Sequence, residues 1–586
     1  MQGIHLVAEA PSGIGKTSAV LSGVLAAAIA RRLRVLYLVR THKQLDRVAS
    51  ELAKLSSKHP LKALIFRGRL SLCPYLDLPL LHQGSSSLDY CMALRVTGKC
   101  SLYERFFDLE HLPRPGKVLD VQWLLEFSQR ASVCPYEVLR AYLHSSEIVV
   151  ANYLHLFSEL KETFLERMGT SLGKLILVID EAHNLLETLR EAYSLELSEE
   201  EARWCHEELK KIPPPRMLSN FLEQFIDPKR WQFPRMVIDP LHETARSGIL
   251  KSIEGMISQI TSMRLALGLP PTTPLVKLLL LAKLVVLLPK GSWSLLIKSS
   301  NGKRVLKFLL LDVRAFSREI FHCIASSISI SGTLSPLEVY AELLGIPNRR
   351  RFLHVPSPYS PSQLLVLTCK AVTTRYPKRT TGNYRKMVLK ISEISRAVPL
   401  NIGVFCASYE VLQGLLDAGL QHALEKPLFI ENPKSGRGEL DEAIEGFKRC
   451  ADRGGAVLLG VLGGRFSEGA DFPGKEMSVS VIVGVPYAKP SPELEELEAF
   501  YSSLLGGRGR TFAYLLPAVR RAAQAAGRTI RSLHDRGAIV LMDYRYASPL
   551  CRRLLPSWIS SRMRVVEDAP GVLAKELSFF FGVPPS

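Results

Sequence analysis

The sequence predicts an α/β protein built from two parallel-sheet units. Three observations predict it: short apolar runs alternate with helix-length stretches, a glycine-rich loop joins the first run to the first helix, and the same texture returns in the C-terminal half. Residues 3–8 form the first apolar run, 11–15 a turn and 17–30 a small-residue helix. Residues 34–39 (RVLYLV) follow as a second strand. Further strands are expected at 175–179, 402–406, 456–461 and 479–485.

Between these units the texture changes twice. Residues 70–143 carry four cysteines and several aromatics with little strand pattern, which marks an insertion. Residues 199–314 open on SEEEARWCHEELKKI, pass through Pro213-Pro214-Pro215 and continue into an apolar, lysine-dotted helix, a second and mostly helical insertion. The expected division is 1–69, 144–198 and 315–345 for the first unit, 70–143 and 199–314 for its insertions, and 346–586 for the second unit.

The 586 residues amount to about four domains of ordinary size. With 47% hydrophobic and 22% charged residues the chain is neither disordered nor collagen-like. Its 75 Lys and Arg against 56 Asp and Glu leave +19, a balance that suits nucleic acid or an acidic membrane surface. The membrane alternative lacks a segment: residues 275–288 are interrupted by Lys277 and Lys283 and stopped by Pro289, short of the roughly 20 apolar residues a spanning helix needs. No signal-peptide pattern opens the chain. A cytoplasmic, nucleoid-associated protein is expected, its ten cysteines buried thiols or metal ligands rather than disulfides.

Ala10-Pro11-Ser12-Gly13-Ile14-Gly15-Lys16-Thr17 follows a strand and opens a helix, the context of a phosphate-binding loop. Gly13 and Gly15 let backbone N–H groups turn toward phosphates, and the helix N-terminus at Lys16, Thr17 and Ser18 adds positive potential. Lys16 would reach the β and γ phosphates and Thr17 would hold Mg²⁺. The run 175–179 delivers Asp180-Glu181-Ala182-His183 at a strand end. There Asp180 would complete the Mg²⁺ shell and Glu181 would orient or deprotonate the attacking water. Near the C-terminus, Gln524, Arg528 and Arg531 are spaced to share one helical face, with planar guanidiniums suited to phosphoryl oxygens.

DEAH and its surroundings resemble superfamily 2 helicases of the XPD/DinG (Rad3-like) type, in its archaeal form. Val39-Arg40-Thr41-His42-Lys43-Gln44 resembles motif Ia, Ser331-Gly332-Thr333-Leu334-Ser335-Pro336 motif III, Gly464 to Phe472 (GRFSEGADF) motif V and Gln524 to Arg531 (QAAGRTIR) motif VI, in the family's order. The resemblance implies two RecA-like motor domains, with an iron–sulfur insertion and an Arch insertion in the first. It implies Arg528 and Arg531 as arginine fingers, Gly469 and Asp471 at the nucleotide, and Ser331, Thr333 and His183 coupling hydrolysis to the strand groove.

By spacing alone Cys73, Cys91, Cys100 and Cys134 are a weak metal signal, since no pair has the tight spacing of a zinc ribbon. The resemblance implies that they hold a [4Fe–4S] cluster, with zinc and plain thiols as alternatives and Cys91 the least secure ligand. It also implies Thr41, Arg69, Tyr136 and Arg140 at DNA. The family carries an adenine-reading glutamine segment before the phosphate loop. Here the loop begins by residue 10, and Gln2 stands too near it to serve.

The expected function is ATP-driven translocation of a monomer on single-stranded and forked DNA, 5′ to 3′, with unwinding in DNA repair. The rivals are a DNA-stimulated ATPase that remodels protein–DNA complexes without unwinding, and a scaffold with a degenerate motor.

Overall fold

The computed structural model describes residues 3–11, 13–58, 61–75, 87–113, 118–119, 121–238, 243–300, 302–532 and 534–583. Gln2 and Ser12 lie outside the described residues. Strands β1 (His5–Glu9), β2 (Arg34–Val39), β3 (Ala63–Ile65), β4 (Val118–Leu119), β5 (Ile148–Asn152) and β6 (Leu175–Asp180) pair in parallel. The antiparallel set β7 (Leu195–Ser198), β8 (Trp293–Ser300) and β9 (Lys303–Leu310) stands apart. The chain then re-enters the first sheet through β10 (Ser326–Ser331) and β11 (Arg350–His354), giving the order β11-β1-β10-β6-β2-β5-β3-β4. Because β11 pairs with β1, the first unit runs past the boundary expected at residue 345.

The second sheet comprises β12 (Leu364–Cys369), β13 (Ile402–Cys406), β14 (Leu428–Ile430), β15 (Val457–Val461), β16 (Val479–Val483), β17 (Gly537–Met542) and β18 (Met563–Val566), in the order β14-β15-β13-β16-β17-β12-β18, all parallel. Its central strands are buried on both faces, as helix-covered parallel strands must be.

The block 199–314 is less purely helical than expected. Ser198 and Glu201 form a reciprocal capping box that starts the helix Glu199–Lys211, and the apolar helix Pro274–Leu287 is capped by Thr273. The stretch after it is the β8–β9 hairpin, and β7, assigned in sequence to the first motor, completes that sheet. Helix Pro492–Leu504 of the second unit packs on this insertion. Leu497 and Phe500 meet Leu296, Leu309 and Leu311, and Glu493 lies between Lys298 and Lys307, 2.6 Å from the latter. Among the described residues no helix is long and apolar enough to cross a membrane.

One buried group in β1 makes the fold acid-sensitive. His5 donates through Nδ1 to the Ser327 hydroxyl (2.8 Å) and accepts at Nε2 from Arg349 (3.1 Å), so it is held neutral. Burial, with Arg349 and His322, pushes its pKa down to about 4. The unfolded chain therefore binds the proton more readily, and stability falls as pH drops from about 6.5 toward 4, by about 3 kcal/mol from this group. Asp180, raised to about 6 chiefly by burial, works in the opposite direction over the same window. Urea unfolding at pH 7 and pH 5 should show a steeper acid loss in the wild type than in His5→Gln.

Candidate nucleotide site and lobe interface

The ends of β1, β10 and β6 lie side by side, which brings the phosphate loop, the turn after Ser331 and the Asp180-Glu181 pair to one edge. Helix Lys16–Arg31 starts directly from Gly15, whose φ of 78° is accessible to glycine at little cost. Lys16 Nζ donates to the carbonyls of Ala10 and Pro11, each at 3.2 Å, so the loop closes on its own lysine. Ser18 turns elsewhere, donating to Glu51 on the helix His42–Lys58. Tyr37, fully buried in β2, donates to Asp180 Oδ2 at 3.0 Å and also meets the Thr17 hydroxyl. It thus joins the two side chains expected to hold Mg²⁺; nothing in a strand-core tyrosine signals this in sequence.

Glu181 sits in the left-handed backbone region at φ 47°, a strained conformation costing on the order of 1–3 kcal/mol. Its carboxylate accepts from the Ser331 hydroxyl at 3.1 Å. Ser331 Oγ in turn accepts from His183 Nδ1 (2.6 Å) and from the Thr333 N–H (3.2 Å). His183 Nε2 accepts from the Gln524 amide of the second lobe. With neutral His183 carrying its proton on Nδ1, every donor in this chain finds an acceptor: Gln524 to His183 to Ser331 to Glu181. Burial, reinforced by Arg520, Arg40 and Lys16 and opposed by Glu181, pushes His183 down to about 4, which keeps it neutral at physiological pH. The Thr333 hydroxyl is buried and unpartnered beside the same cleft.

The two carboxylates are driven apart. Burial, then Glu181, raises Asp180 to about 6. Burial works against Glu181 too, but Lys16, His183, Ser331 and Arg531 hold it below the usual carboxylate range. Glu181 is therefore the anion of the pair.

The second lobe closes over this edge. Glu181, His183, Thr333, Asp471, Gln524, Arg528 and Arg531 all line one cleft of about 580 Å³. The single helical face expected for Arg528 and Arg531 is not what forms. The helix Leu516–Ala526 ends before them, Arg528 lies in the tighter turn Gly527–Thr529, and Arg531 follows extended Ile530. The turn still brings both to the cleft. Arg531 Nε pairs with Asp471 at 2.9 Å, just past the turn Arg465–Gly469. A Cβ at Gly13 would lie 2.7 Å from the Arg531 carbonyl carbon, so loop and lobe touch directly. Arg520, one helical turn before Gln524, donates to the carbonyls of Leu334 (2.8 Å) and Ser335 (3.3 Å). Glu9 accepts from Ser335 N–H at 2.8 Å and supplies the opposite charge. Trp558 donates to Gly332 at 3.1 Å. Arg520 and Trp558 were not singled out from sequence, where each looks like an ordinary helix residue.

Cys73, Cys91, Cys100 and Cys134 face one small cavity together with Arg69, Arg95, Tyr103 and Tyr136. Among the described residues no three His, Cys, Asp or Glu side chains are arranged to hold a single metal ion. Four thiols around a shared cavity match the donor set of a multi-atom cluster better than that of one zinc. Arg69 covers the Tyr136 ring (4.2 Å), and Arg140 pairs with Glu137 at 2.8 Å. Thr41 and Gln44 cap the helix His42–Lys58 reciprocally at the cleft edge.

A separate groove of about 1360 Å³ crosses the second lobe at the ends of β13, β16 and β17. Tyr487 and Tyr514 stack there (4.6 Å, 6°), Arg545 lies 5.1 Å over Tyr487, and Tyr376 is 78% exposed beside Arg375 and Arg379. These residues were missed in sequence because they come from five separate loops.

Two parallel-sheet lobes that share a phosphate loop, an Asp-Glu pair and cross-lobe arginines define a superfamily 2 nucleotide-driven motor. Residues 37–202 match the DEAD_2 family model and residues 391–562 the helicase C-terminal domain model. The chain belongs to the XPD-like (Rad3-type) family of superfamily 2 helicases. It is 24% identical to the ATP-dependent DNA helicase chl1 of Schizosaccharomyces pombe, over 94% of this chain and 74% of that protein. It is equally similar (24%) to the regulator of telomere elongation helicase 1 of Rattus norvegicus, over 93% and 50%. The chain thus spans between half and three quarters of these curated relatives. Its fold matches a solved XPD helicase (TM-score 0.63, 21% identity, 96% of each chain) and Xpd4 of S. tokodaii (0.59, 17%, 96% of each).

Proposed function

We propose that the protein is an ATP-dependent DNA helicase that moves along single-stranded DNA, 5′ to 3′, and opens duplexes during DNA repair. The observation that carries this is the hydrogen-bond chain from Gln524 in one lobe through His183 and Ser331 to Glu181 in the other. A chain of that kind changes when the lobes separate, so the water-activating carboxylate senses lobe closure. In this reading Lys16 grips the triphosphate, Thr17 and Asp180 hold Mg²⁺, which neutralises phosphate charge, and Glu181 orients the attacking water. Arg528 and Arg531 stabilise the charge that develops on the transferred phosphoryl group. Polarity and the repair role rest on kinship.

Lys16→Ala should abolish DNA-stimulated phosphate release while largely sparing single-strand binding. Strand displacement on a forked substrate, measured in parallel, separates unwinding from protein remodelling: hydrolysis with no displacement would replace the helicase reading by the remodelling one.

The tyrosine- and arginine-lined groove of the second lobe is assigned to the strand. Stacked rings give bases a sequence-tolerant platform, and the arginines track phosphates. Tyr376→Ala should weaken single-strand affinity by about 1–3 kcal/mol. Affinity should also fall with salt by about 0.7 log units per log unit for each phosphate neutralised. Fluorescence anisotropy across a salt series checks both. Thr41, Arg69, Tyr136 and Arg140 are proposed to guide the strand on the first lobe. Cys73, Cys91, Cys100 and Cys134 are proposed to hold a [4Fe–4S] cluster, which would tie their loops into one rigid unit.

A further inference from the structure

Glu137 is a fully buried carboxylate that the nucleotide cleft does not use. It lies in the first turn of the helix Pro135–Ala141, three residues after Cys134. Guanidinium nitrogens approach it from Arg140 at 2.8 Å, Arg69 at 3.4 Å and Arg95 at 3.8 Å. These arginines come from different segments. Arg69 opens the short turn that leads to Cys73. Arg95 is on the helix Ser87–Val96, which carries Cys91 and ends just before Cys100. Arg140 shares its helix with Glu137, directly after Cys134. Each segment that brings a cysteine to the cavity therefore also brings a guanidinium to this one carboxylate.

Such an arrangement is held only as a set. Breaking a buried ion cluster by removing one sign leaves uncompensated charge and is strongly destabilising. Two of the arginines are fixed further at the cavity. Arg69 lies 4.2 Å over the Tyr136 ring with Nη1 3.7 Å from the Cys91 sulfur. Arg95 lies 4.2 Å over Tyr103 and donates to its hydroxyl at 3.1 Å. Arg69, Arg95 and all four cysteines line the same cavity.

We propose that Glu137 is a positioning residue of the cysteine cavity: its carboxylate draws the three cysteine-bearing segments together and fixes Arg69 and Arg95 beside the thiols, setting the electrostatic potential felt by an iron–sulfur cluster there. The proposal rests on the cluster reading given above. A four-thiolate [4Fe–4S] cluster in its oxidised state is a dianion, so with Glu137 it balances the three guanidiniums. Reduction adds one negative charge to that balance. Neutralising Glu137 leaves a surplus of positive charge and makes reduction easier.

The test uses the full chain purified without oxygen, with iron and sulfide counts and a redox titration followed by visible absorption. Wild-type protein should carry iron and sulfide in equal amounts. Glu137→Gln, of the same size, should move the midpoint potential to more positive values. Glu137→Asp, which keeps the charge but shortens its reach, should return the midpoint close to wild type while losing iron to a chelator faster. A merely structural role would lower iron content without moving the midpoint of the cluster that remains. Glu137→Gln with wild-type midpoint would overturn the proposal, as would a Glu137→Asp midpoint displaced as far as that of Gln. Should Glu137→Gln fail to fold, the Asp variant decides alone. Wild-type protein that binds no iron would instead overturn the cluster reading, and this proposal with it.

Discussion

Glu181→Gln should lower kcat for DNA-stimulated ATP hydrolysis by about 10²–10⁴-fold, the usual worth of a positioned general base, with KM for ATP little changed. The argument rests on the division of labour in the acidic pair. Asp180 is pushed up to about 6 by burial and by its neighbour, whereas Lys16, His183, Ser331 and Arg531 hold Glu181 low against burial. Two carboxylates with separated pKa values take separate roles. Glu181 stays charged, and the Ser331 hydroxyl fixes one of its oxygens. A glutamine keeps the shape and the bond from Ser331 but cannot take a proton. Its backbone must still adopt φ 47°, so the strain is unchanged and the comparison isolates the charge. Phosphate release at saturating single strand measures the effect. Turnover within tenfold of wild type would remove Glu181 from the chemistry.

The parts of this site that sequence makes legible are those encoded locally. The phosphate loop is a contiguous string whose glycines, lysine and threonine have fixed offsets, and the Asp180-Glu181 pair ends a buried strand. Both stand where local reasoning puts them. Ser18 was misassigned because the offset gives its position in the helix but not its rotamer, which turns to Glu51. Arg528 and Arg531 were placed in the right cleft for an incomplete reason: helical spacing assumes a helix, and Gly527 opens a tighter turn instead. The β8–β9 hairpin was readable, since Asn301-Gly302 between two apolar runs is a strong turn signal, but the lysine-dotted helix before it masked the change of period. Tyr37, Arg520 and Glu137 were not readable. Each acts through a partner distant in sequence, and only the sheet order or a lobe contact brings that partner near.

Arg531→Ala should lower kcat by about 10³–10⁵-fold, the range for losing an arginine that stabilises phosphoryl transfer. Its main chain already touches the phosphate loop at Gly13, and its charge is felt at Glu181. Asp471 holds the side chain through Nε, which leaves the two Nη groups to meet phosphoryl oxygens. That geometry also predicts the failure of the conservative change. Lysine has one ammonium and no planar fork, so it cannot bond Asp471 and the phosphate in parallel, and Arg531→Lys should stay close to the alanine variant. Arg528 lines the same cleft but lacks the main-chain contact with the loop, so Arg528→Ala should cost less. Single-turnover hydrolysis with saturating ATP and single strand ranks the three variants. If Arg531→Ala turned over within tenfold of wild type, the cross-lobe contact at Gly13 would be packing without chemistry, and a triphosphate gripped by Lys16 would not be completed from the second lobe.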